Sequence, residues 1–347
     1  MIRISKVDHL VVPATAPIRT VLARIDAATP ELFQIVLDGA GRVVATVTDG
    51  DIRRAMLRGV GIDDPVEACM HRNPITGRDG ETAENARKVR QARFLPVLDA
   101  KGRLSHVLSV RRGAGGIGPA LVMAGGYGKR LGEATRDTPK PLIPVGGRPM
   151  IDRVMAGLED AGVPGISVAV HYLADQIDRF VASRENRVPV SIIRESDPLG
   201  TAGALGLLPE APDRPVLVVN ADLVTRVDFA ALHEFHERHG FDGTVAAARY
   251  EIQVPFGVLR YGQDGLIDGI DEKPVFHHFV AAGIYYLSPE IVAMVPRGRM
   301  IDMPQLLEDA RRIGLKIGIF PVHEYWRDVG RPHDLLTVEA EMGVAGK

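Results

Sequence analysis

The C-terminal two thirds of the chain alternate short apolar runs with amphipathic stretches. The runs have the length and residue types of buried strands, and the stretches between them repeat apolar residues at helical spacing. This alternation predicts an α/β fold with a mainly parallel sheet and helices on both faces. The predicted strands are Ala120–Met123, Ile166–His171, Val190–Arg194, Val216–Asn220, Thr244–Arg249 and Ala281–Leu287, and the predicted helices include Ile151–Asp160, Ala174–Ala182 and Phe229–Arg238.

The N-terminal third has a different pattern, which is internally duplicated. Residues Phe33–Arg58 run as strand, turn, strand and helix start, and Phe94–Arg112 repeat the strand, turn and strand. Apolar runs on both sides of a glycine-containing turn are typical of hairpins. An amphipathic helix is predicted before each hairpin, over Ile18–Ala28 and over Thr82–Ala92. The pattern predicts an α+β module made of two similar units.

A glycine-rich stretch, Arg111–Gly118, separates the two regions. It has four glycines in eight residues, which is typical of a flexible linker. Because 347 residues exceed one average domain, we predict a first domain over residues 1–114 and a second over 118–347. The stretch is also compatible with a loop inside a single domain.

The composition excludes several classes of protein. A formal net charge of -2 gives no reason to expect a nucleic-acid partner. The single cysteine, Cys69, excludes an internal disulfide framework and a cysteine-rich zinc site. The chain shows neither a secretion signal nor an apolar run of the ~20 residues that span a membrane. We therefore expect a cytoplasmic protein without a membrane partner.

A glycine-rich loop, Ala124–Leu131, follows the first strand of the second domain. Glycines there let backbone N–H groups approach a triphosphate closely. Arg130 and Lys140 add the positive charge that a polyphosphate requires. The loop has neither the Walker pattern nor the dinucleotide-binding pattern. The candidate nucleotide-binding residues of the loop are Ala124, Gly125, Gly126 and Gly128.

Two carboxylates occupy positions suited to a ligand site. Asp222 ends the apolar run Val216–Asp222, and Asp328 lies in the distant segment Trp326–Asp334. Residues just after the strands of such a sheet lie at the edge where ligands bind. Asp222 is equally compatible with a residue that caps a turn. The two carboxylates meet only if the predicted fold is right.

These motifs together resemble those of sugar-1-phosphate nucleotidyltransferases. The glycine-rich loop matches GGxGxRL and continues into TPKPLIPV, and the resemblance covers about Pro119 to Met342. It implies a Rossmann-like nucleotidyltransferase sheet. It also implies that Asp222 and Asp328 bind Mg²⁺, a hard cation suited to carboxylate and phosphate oxygens. The segment PLGTAGAL would approach the base and ribose through Gly200, Thr201 and Ala202, although Thr201 is also compatible with a helix cap.

The resemblance also implies a sugar pocket beside the nucleotide. In the EKP element, Glu272 would accept hydrogen bonds from sugar hydroxyls and Lys273 would hold the sugar phosphate. Gly257 of PFGVL and Gly283 of AAGIY would lie against the sugar. Relatives often have asparagine where this chain has Ala281, so the sugar that relatives use does not carry over.

The N-terminal module resembles a tandem pair of CBS domains, which often bind adenosine nucleotides. Thr48 and Asp51 match the family's S/T-x-x-D element, in which Thr contacts phosphate and Asp contacts the ribose. The second copy has Arg112 at the position of the aspartate, and arginine cannot accept a hydrogen bond from ribose. We expect at most one adenine-nucleotide site, and a purely structural or dimerising role is equally compatible.

The implied reaction transfers a nucleoside monophosphate from a nucleoside triphosphate to a sugar 1-phosphate and releases pyrophosphate. Arg130, Lys140 and Lys273 would be the catalytic cations. GTP is favoured because the architecture is similar to that of bacterial guanylyltransferases that act on hexosamine 1-phosphates, and mannose-1-phosphate guanylyltransferases are also similar. Thymidylyl or uridylyl transfer stays open. A homo-oligomer is expected. Two alternatives are a nucleotide-sensing regulator that no longer reacts and a transferase for phosphocholine-like substrates. His171, His277, His278 and His323 lack the spacing of a zinc site.

Overall fold

The computed structural model describes residues 1–28, 31–110 and 116–344. The chain divides into two compact units, Met1–Gly115 and Gly116–Lys347. Residues 111–115 of the predicted linker lie outside the described residues. Within the described ranges, every helix is too short or too polar to cross a membrane.

The first unit contains two four-stranded sheets, ordered β1-β8-β7-β6 and β2-β3-β4-β5. Each sheet contains one of the predicted hairpins, β3–β4 or β7–β8, and both hairpins are antiparallel. Its elements are β1 (Ile2–Ile4), β2 (Val11–Pro13), α1 (Ile18–Ala27), β3 (Phe33–Leu37), β4 (Val43–Thr48), α2 (Asp49–Leu57), β5 (His71–Arg72), β6 (Gly77–Arg78), α3 (Thr82–Ala92), β7 (Phe94–Leu98) and β8 (Leu104–Ser109).

The two halves of this unit have the same hydrogen bonds in their hairpin turns. In the first hairpin turn, Asp38 accepts hydrogen bonds from the backbone and the guanidinium of Arg42 at 2.9 and 2.8 Å. In the second, Asp99 accepts the same pair of bonds from Arg103 at 2.9 and 3.2 Å. The first residues of β3 and β7 are both phenylalanine, and their rings stack with centroids 3.9 Å apart. The structure therefore shows the internal duplication that the sequence predicts.

The second unit is built on a seven-stranded sheet, ordered β13-β12-β9-β14-β19-β16-β20. All neighbours in it are parallel except β19, which runs antiparallel to both β14 and β16. The elements are β9 (Ala120–Met123), β10 (Pro144–Val145), β11 (Arg148–Pro149), α4 (Met150–Asp160), β12 (Ile166–Val170), α5 (Ala174–Ser183), β13 (Val190–Arg194), β14 (Val216–Asn220), β15 (Leu223–Thr225), α6 (Phe229–His239), β16 (Gly243–Gln253), β17 (Val258–Tyr261), β18 (Ile267–Asp271), β19 (Val275–Leu287), α7 (Pro289–Ala293), α8 (Met303–Arg312), β20 (Ile317–Val322), β21 (Trp326–Asp328) and α9 (Pro332–Val344).

This sheet forms the core of the second unit. The central strands β9 and β14 are almost entirely apolar, and their side chains are buried on both faces because helices cover both. The mainly parallel α/β fold predicted from the sequence is confirmed. The parallel strands β9 and β14 also place their carboxyl ends side by side, which determines the position of the candidate site.

Strands β16 and β19 are longer than the sequence predicts. Beyond the predicted ends they continue pairing, from Tyr250 opposite His278 to Gln253 opposite Val275. The prediction stopped early because charged residues and histidines interrupt the apolar pattern there. These extra residues are mostly exposed, so the two strands form an arm that extends from the sheet, and the β17–β18 hairpin lies between them in the chain.

Candidate active site

A cavity of about 260 Å³ lies at the carboxyl edge of the central sheet. Met123 at the end of β9 is opposite Asn220 at the end of β14, so the segments that follow the two strands meet there. Seven of the residues that line the cavity are candidate site residues from the sequence analysis, and seven are not. The first group is Ala124, Gly125, Gly126, Lys140, Gly200, Thr201 and Asp222, and the second is Met123, Tyr127, Pro141, Glu195, Pro198, Leu199 and Asn220.

The glycines of the loop after β9 have different structural roles. A Cβ atom on Gly126 would meet no protein atom within 4 Å, so packing does not require glycine there. The residue instead leaves the cavity wall open for close approach of a ligand to the backbone. Gly128 has φ of +64°, and a Cβ there would lie 3.1 Å from Cβ of Lys140. Gly128 therefore packs closely against Thr135 and Lys140, and it does not line the cavity.

The two distant carboxylates meet around Lys140. Strand β15, which follows Asp222, pairs with β21, and this pairing places Leu223 opposite Asp328. The Lys140 ammonium group donates a hydrogen bond to Asp222 Oδ2 and lies 3.7 Å from Asp328 Oδ1. Lys140 is only 8% exposed. Burial and the negative charge of Asp222 raise the pKa of Asp328, while Lys140 and Arg130 act in the opposite direction.

Arg130 lies on the Asp328 side of this cluster. Its guanidinium is 3.7 Å from the position of a Cβ on Gly330, and so is the carboxylate of Asp334. It does not line the cavity. Within the described residues, no group of three or more histidine, cysteine or acidic side chains could hold a metal ion. The candidate metal ligands from the protein are therefore the two carboxylates, Asp222 and Asp328.

The segment that follows β13 joins the cavity to α8. Gly200 has φ of +76°, and a Cβ there would lie 2.7 Å from the backbone oxygen of Ile301. The hydroxyl of Thr201 accepts a hydrogen bond from the backbone of Met303 at 2.7 Å, which caps the start of α8. Ala202 is fully buried and does not line the cavity. Thr201 thus caps a helix distant in sequence rather than its own segment.

Glu195 and Asn220 are the polar residues of the cavity that the sequence analysis missed. Glu195 Oε2 accepts a hydrogen bond from the backbone of Leu199 at 3.0 Å, and burial raises the pKa of this carboxyl group. Asn220 packs against Gly283, where a Cβ would lie 2.7 Å from the amide nitrogen. Both residues follow or end a strand at the ligand-binding edge, which is the signal that could have identified them.

The predicted sugar residues lie outside the cavity wall. Glu272 Oε2 is 3.2 Å from the position of a Cβ on Gly257, so the structure brings these two residues together at the base of the β17–β18 hairpin. Lys273 follows with φ of +48°. Gly283 is buried behind Asn220. None of the four lines the cavity.

In the first unit, Thr48 and Asp51 bind each other. Thr48 caps α2, and the Thr48 hydroxyl and backbone N–H both donate to Asp51 Oδ2, at 2.7 and 2.9 Å. Arg54 donates a hydrogen bond to the other carboxylate oxygen of Asp51. This capping box gives both residues a structural role in the first unit. Arg112, their predicted counterpart in the second copy, lies outside the described residues.

Removing the cap should measurably destabilise the first unit. We expect Thr48→Ala to lower the free energy of unfolding by about 1 kcal/mol, because the first turn of α2 loses its side-chain acceptor. Urea denaturation followed by circular dichroism measures this change. Thr48→Ser keeps the hydroxyl and should remain close to the parent chain. Equal stability of Thr48→Ala and the parent would contradict the capping role.

Comparison with known proteins locates both units in sequence families. The nucleotidyl transferase family model matches residues 119–343, and the CBS domain model matches residues 3–58. A mannose-1-phosphate guanyltransferase of Candida albicans is 36% identical over 230 residues, which are 62% of each chain. The catalytic subunit beta of mannose-1-phosphate guanylyltransferase from Drosophila pseudoobscura pseudoobscura is 33% identical over 231 residues. That match covers 63% of this chain and 60% of the relative.

A solved structure has a fold similar to that of the second unit. HddC from Yersinia pseudotuberculosis is 26% identical, with a TM-score of 0.51, and the match covers 65% of this chain and 99% of HddC. The shared region is the size of the second unit.

Proposed function

The chain belongs to the nucleotidyl transferase family, and from this premise we propose that it transfers a nucleoside monophosphate from a nucleoside triphosphate to a sugar 1-phosphate. The products are a nucleoside diphosphate sugar and pyrophosphate. The guanylyltransferase relatives support the reaction class and favour GTP as the donor.

The observation that carries this proposal is the meeting of Asp222, Lys140 and Asp328 beside the glycine-lined cavity. A cavity with open backbone amides would suffice to bind a nucleotide. Nucleotide binding alone does not require two carboxylates held around one buried ammonium group. A pair of carboxylates next to a glycine-lined cavity is an arrangement that suits metal-assisted phosphoryl transfer.

A phosphate oxygen of the sugar 1-phosphate attacks the α-phosphorus of the triphosphate. The new bond joins that oxygen to phosphorus, and the bond from the α-phosphorus to the bridging oxygen breaks, so the electron pair leaves with pyrophosphate. The attacking oxygen is already anionic near neutral pH and needs no general base. The protein therefore has to position two anions and offset their repulsion.

The carboxylates of Asp222 and Asp328 fit a divalent cation such as Mg²⁺. Both offer hard oxygen ligands, and both lie beside the Lys140 ammonium group. When bound, the cation supplies Lewis-acid polarisation of the phosphoryl group. Lys140 holds the two carboxylates in place, and we assign Arg130, on the Asp328 side, to the leaving pyrophosphate.

Glu195 supports guanine as the base. A carboxylate is an acceptor only, and guanine presents two adjacent donors, its ring N–H and its amino group, on one edge. Adenine and the pyrimidines place an acceptor next to the donor on the corresponding edge. Glu195 lies in the cavity wall, with Oε1 3.5 Å from the position of a Cβ on Gly125 and Oε2 bonded to Leu199. We assign Glu195 to guanine recognition.

Lys273 is assigned to the sugar phosphate, next to Glu272, which accepts hydrogen bonds from the sugar. We expect Lys273→Ala to raise the KM for the sugar 1-phosphate about tenfold, because one charge-assisted hydrogen bond is lost. The KM for GTP should stay unchanged, since Lys273 lies outside the nucleotide cavity. Steady-state pyrophosphate release measures both constants. Lys101→Ala, in an exposed turn of the first unit, is the control, and an equal rise of both KM values would contradict the assignment.

For the first unit we propose one adenine-nucleotide site at the start of α2. The partial positive charge of the helix N-terminus favours a phosphate group, and Thr48 and Asp51 would exchange their mutual hydrogen bonds for phosphate and ribose. Calorimetric titration with AMP tests this site. Binding that is lost in Asp51→Ala supports it, and the absence of binding to the parent chain contradicts it.

The reaction itself is tested by a matrix of nucleoside triphosphates against sugar 1-phosphates, read as pyrophosphate release. We expect release only when both substrates are present, with GTP giving the highest rate. Binding of nucleotide without release in any combination would favour the alternative of a nucleotide-sensing regulator.

A further inference from the structure

His171 lies directly behind the wall of the cavity. It is the first residue after β12, and Glu195 is the first residue after β13. These strands are parallel neighbours in which Val170 is opposite Arg194, so His171 and Glu195 leave the sheet side by side. A Cβ on Gly125 would lie 3.4 Å from Cβ of His171 and 3.5 Å from Oε1 of Glu195. His171 does not itself line the cavity, so any effect it has on a bound nucleotide passes through its neighbours.

Each ring nitrogen of His171 binds a residue of the cavity wall. Nδ1 lies 3.0 Å from the backbone oxygen of Glu195, and Nε2 lies 3.1 Å from the hydroxyl of Tyr127. A carbonyl oxygen only accepts hydrogen bonds, so Nδ1 carries the proton and donates it to Glu195. In the neutral ring Nε2 is then an acceptor, and the Tyr127 hydroxyl donates to it. One imidazole therefore connects two residues that both line the cavity.

The turn that begins at His171 also binds the segment that follows the glycine-rich loop. The hydroxyl of Tyr172 donates to the backbone oxygen of Arg136 at 2.9 Å, and the amide of Gln176 donates to that of Asp137 at 2.8 Å. Leu173, within this turn, has φ of +51°, a left-handed conformation that is unfavourable for leucine. Such a conformation persists only where the surrounding contacts fix it. The imidazole therefore has a rigid support.

We propose that His171 is a positioning residue for nucleotide binding, with Nδ1 serving base selectivity and Nε2 serving affinity. The inference rests on the proposed function, in which Glu195 recognises guanine. Nδ1 fixes the backbone of Glu195, and the N–H of Leu199 fixes its side chain at Oε2. A side chain held at both ends keeps its acceptors at a constant distance from the base, which selectivity requires.

Nε2 fixes the ring of Tyr127 in the cavity wall. Tyr127 is 41% exposed, so a nucleoside in the cavity can pack against its ring. The ring of Tyr172 and the ammonium group of Lys129 lie 5.3 and 5.1 Å from the centroid of this ring, which further limits its movement. Stacking on an aromatic ring tolerates any base, because every base has a π face. Tyr127 therefore contributes affinity that GTP and ATP share, whereas Glu195 distinguishes between them.

Two substitutions of His171 separate the roles of its nitrogens. Asparagine places an amide N–H near the position of Nδ1 and does not reach Tyr127, whereas glutamine reaches the position of Nε2 and leaves Glu195 without its donor. Calorimetric titration of each variant with GTP and with ATP, without a sugar 1-phosphate, measures both affinities. Thermal unfolding checks the fold. His71→Asn, which changes an exposed histidine of the first unit, is the control and should keep the parent affinities.

We expect His171→Gln to lower the ratio of GTP affinity to ATP affinity about tenfold, the effect of one hydrogen bond on base recognition. His171→Asn should keep the parent ratio and weaken the binding of both nucleotides about threefold. Tyr127→Phe should match His171→Asn, and the double variant should bind no more weakly, because both changes remove the same hydrogen bond. If His171→Gln does not fold, His171→Ala, which also removes the donor to Glu195, replaces it with the same expected ratio.

An unchanged ratio in His171→Gln, or an equal fall of the ratio in His171→Asn, would overturn the selectivity role of Nδ1. Affinities of Tyr127→Phe equal to those of the parent chain would overturn the role of Nε2. A parent chain that binds GTP and ATP equally would overturn the inference even if it releases pyrophosphate. If the parent chain releases no pyrophosphate, the proposed function fails, while the titrations still decide what His171 does.

Discussion

Replacing Asp222 by asparagine should lower kcat about a thousandfold while the protein stays folded. The amide keeps the size of the side chain but removes the charge that Lys140 binds and that a divalent cation requires. Losing one such electrostatic contact costs about 10²–10³ in rate, and here the same change also weakens the metal site. Pyrophosphate release at saturating substrates measures the loss, and thermal unfolding checks the fold.

Three further variants test whether Asp222 and Asp328 act together in catalysis. Asp328→Asn should be similarly impaired, and the double variant should be no worse than the more impaired single one, since residues that act as a unit are not additive. Asp175→Asn, which changes an exposed carboxylate paired with Arg194, is the control and should keep the parent rate. A near-normal rate in Asp222→Asn would exclude this carboxylate from the chemistry.

Replacing Glu195 by glutamine should lower kcat/KM for GTP about a hundredfold and change the values for ATP and UTP little. Glutamine keeps an acceptor for the backbone of Leu199, but it offers one acceptor and one donor where guanine presents two donors. Charge-assisted hydrogen bonds contribute about 1.5–3 kcal/mol each, and an unsatisfied polar group in a buried site adds to the penalty. Competition among the three nucleotides in the pyrophosphate assay measures the change.

The KM for GTP should also depend on pH, in the direction that the raised pKa of Glu195 sets. Burial raises the pKa of Glu195, so the carboxylate that guanine requires is lost on acidification at a higher pH than for an ordinary glutamate. The KM for GTP should rise as the pH falls through that range in the parent chain, and this rise should be absent in Glu195→Gln. Glu210→Gln, at an exposed position, is the control. Equal loss of GTP and ATP activity would contradict base recognition by Glu195.

Much of the site could be predicted because it lies at strand ends. Apolar runs such as Val216–Asn220 are easily recognised, and parallel strands bring their carboxyl ends to one edge. The loop after β9 and Asp222 after β14 could therefore be located from the sequence alone. The meeting of Asp222 with Asp328 could not, since it depends on the short β15–β21 pairing, which has no apolar pattern of its own.

Other features depend on contacts that local sequence does not reveal. Thr201 caps α8, which begins about a hundred residues later, so its partner is invisible in the segment PLGTAGAL. Glu195 reads as an ordinary charged residue after β13 until the structure shows it buried in the cavity wall. The pairing of Tyr261 with Ile267 in the β17–β18 hairpin depends on a bulge at Asp268, which the alternation of residues in the sequence does not reveal.

Binding of Mn²⁺ in the presence of GTP, followed by electron paramagnetic resonance, tests the central claim most directly. The claim is that Asp222 and Asp328 together hold a divalent cation beside the nucleotide. We expect the parent chain to bind one Mn²⁺ per chain with GTP, and Asp222→Asn and Asp328→Asn each to bind it at least tenfold more weakly. Equal Mn²⁺ affinity in the parent and both variants would contradict the account.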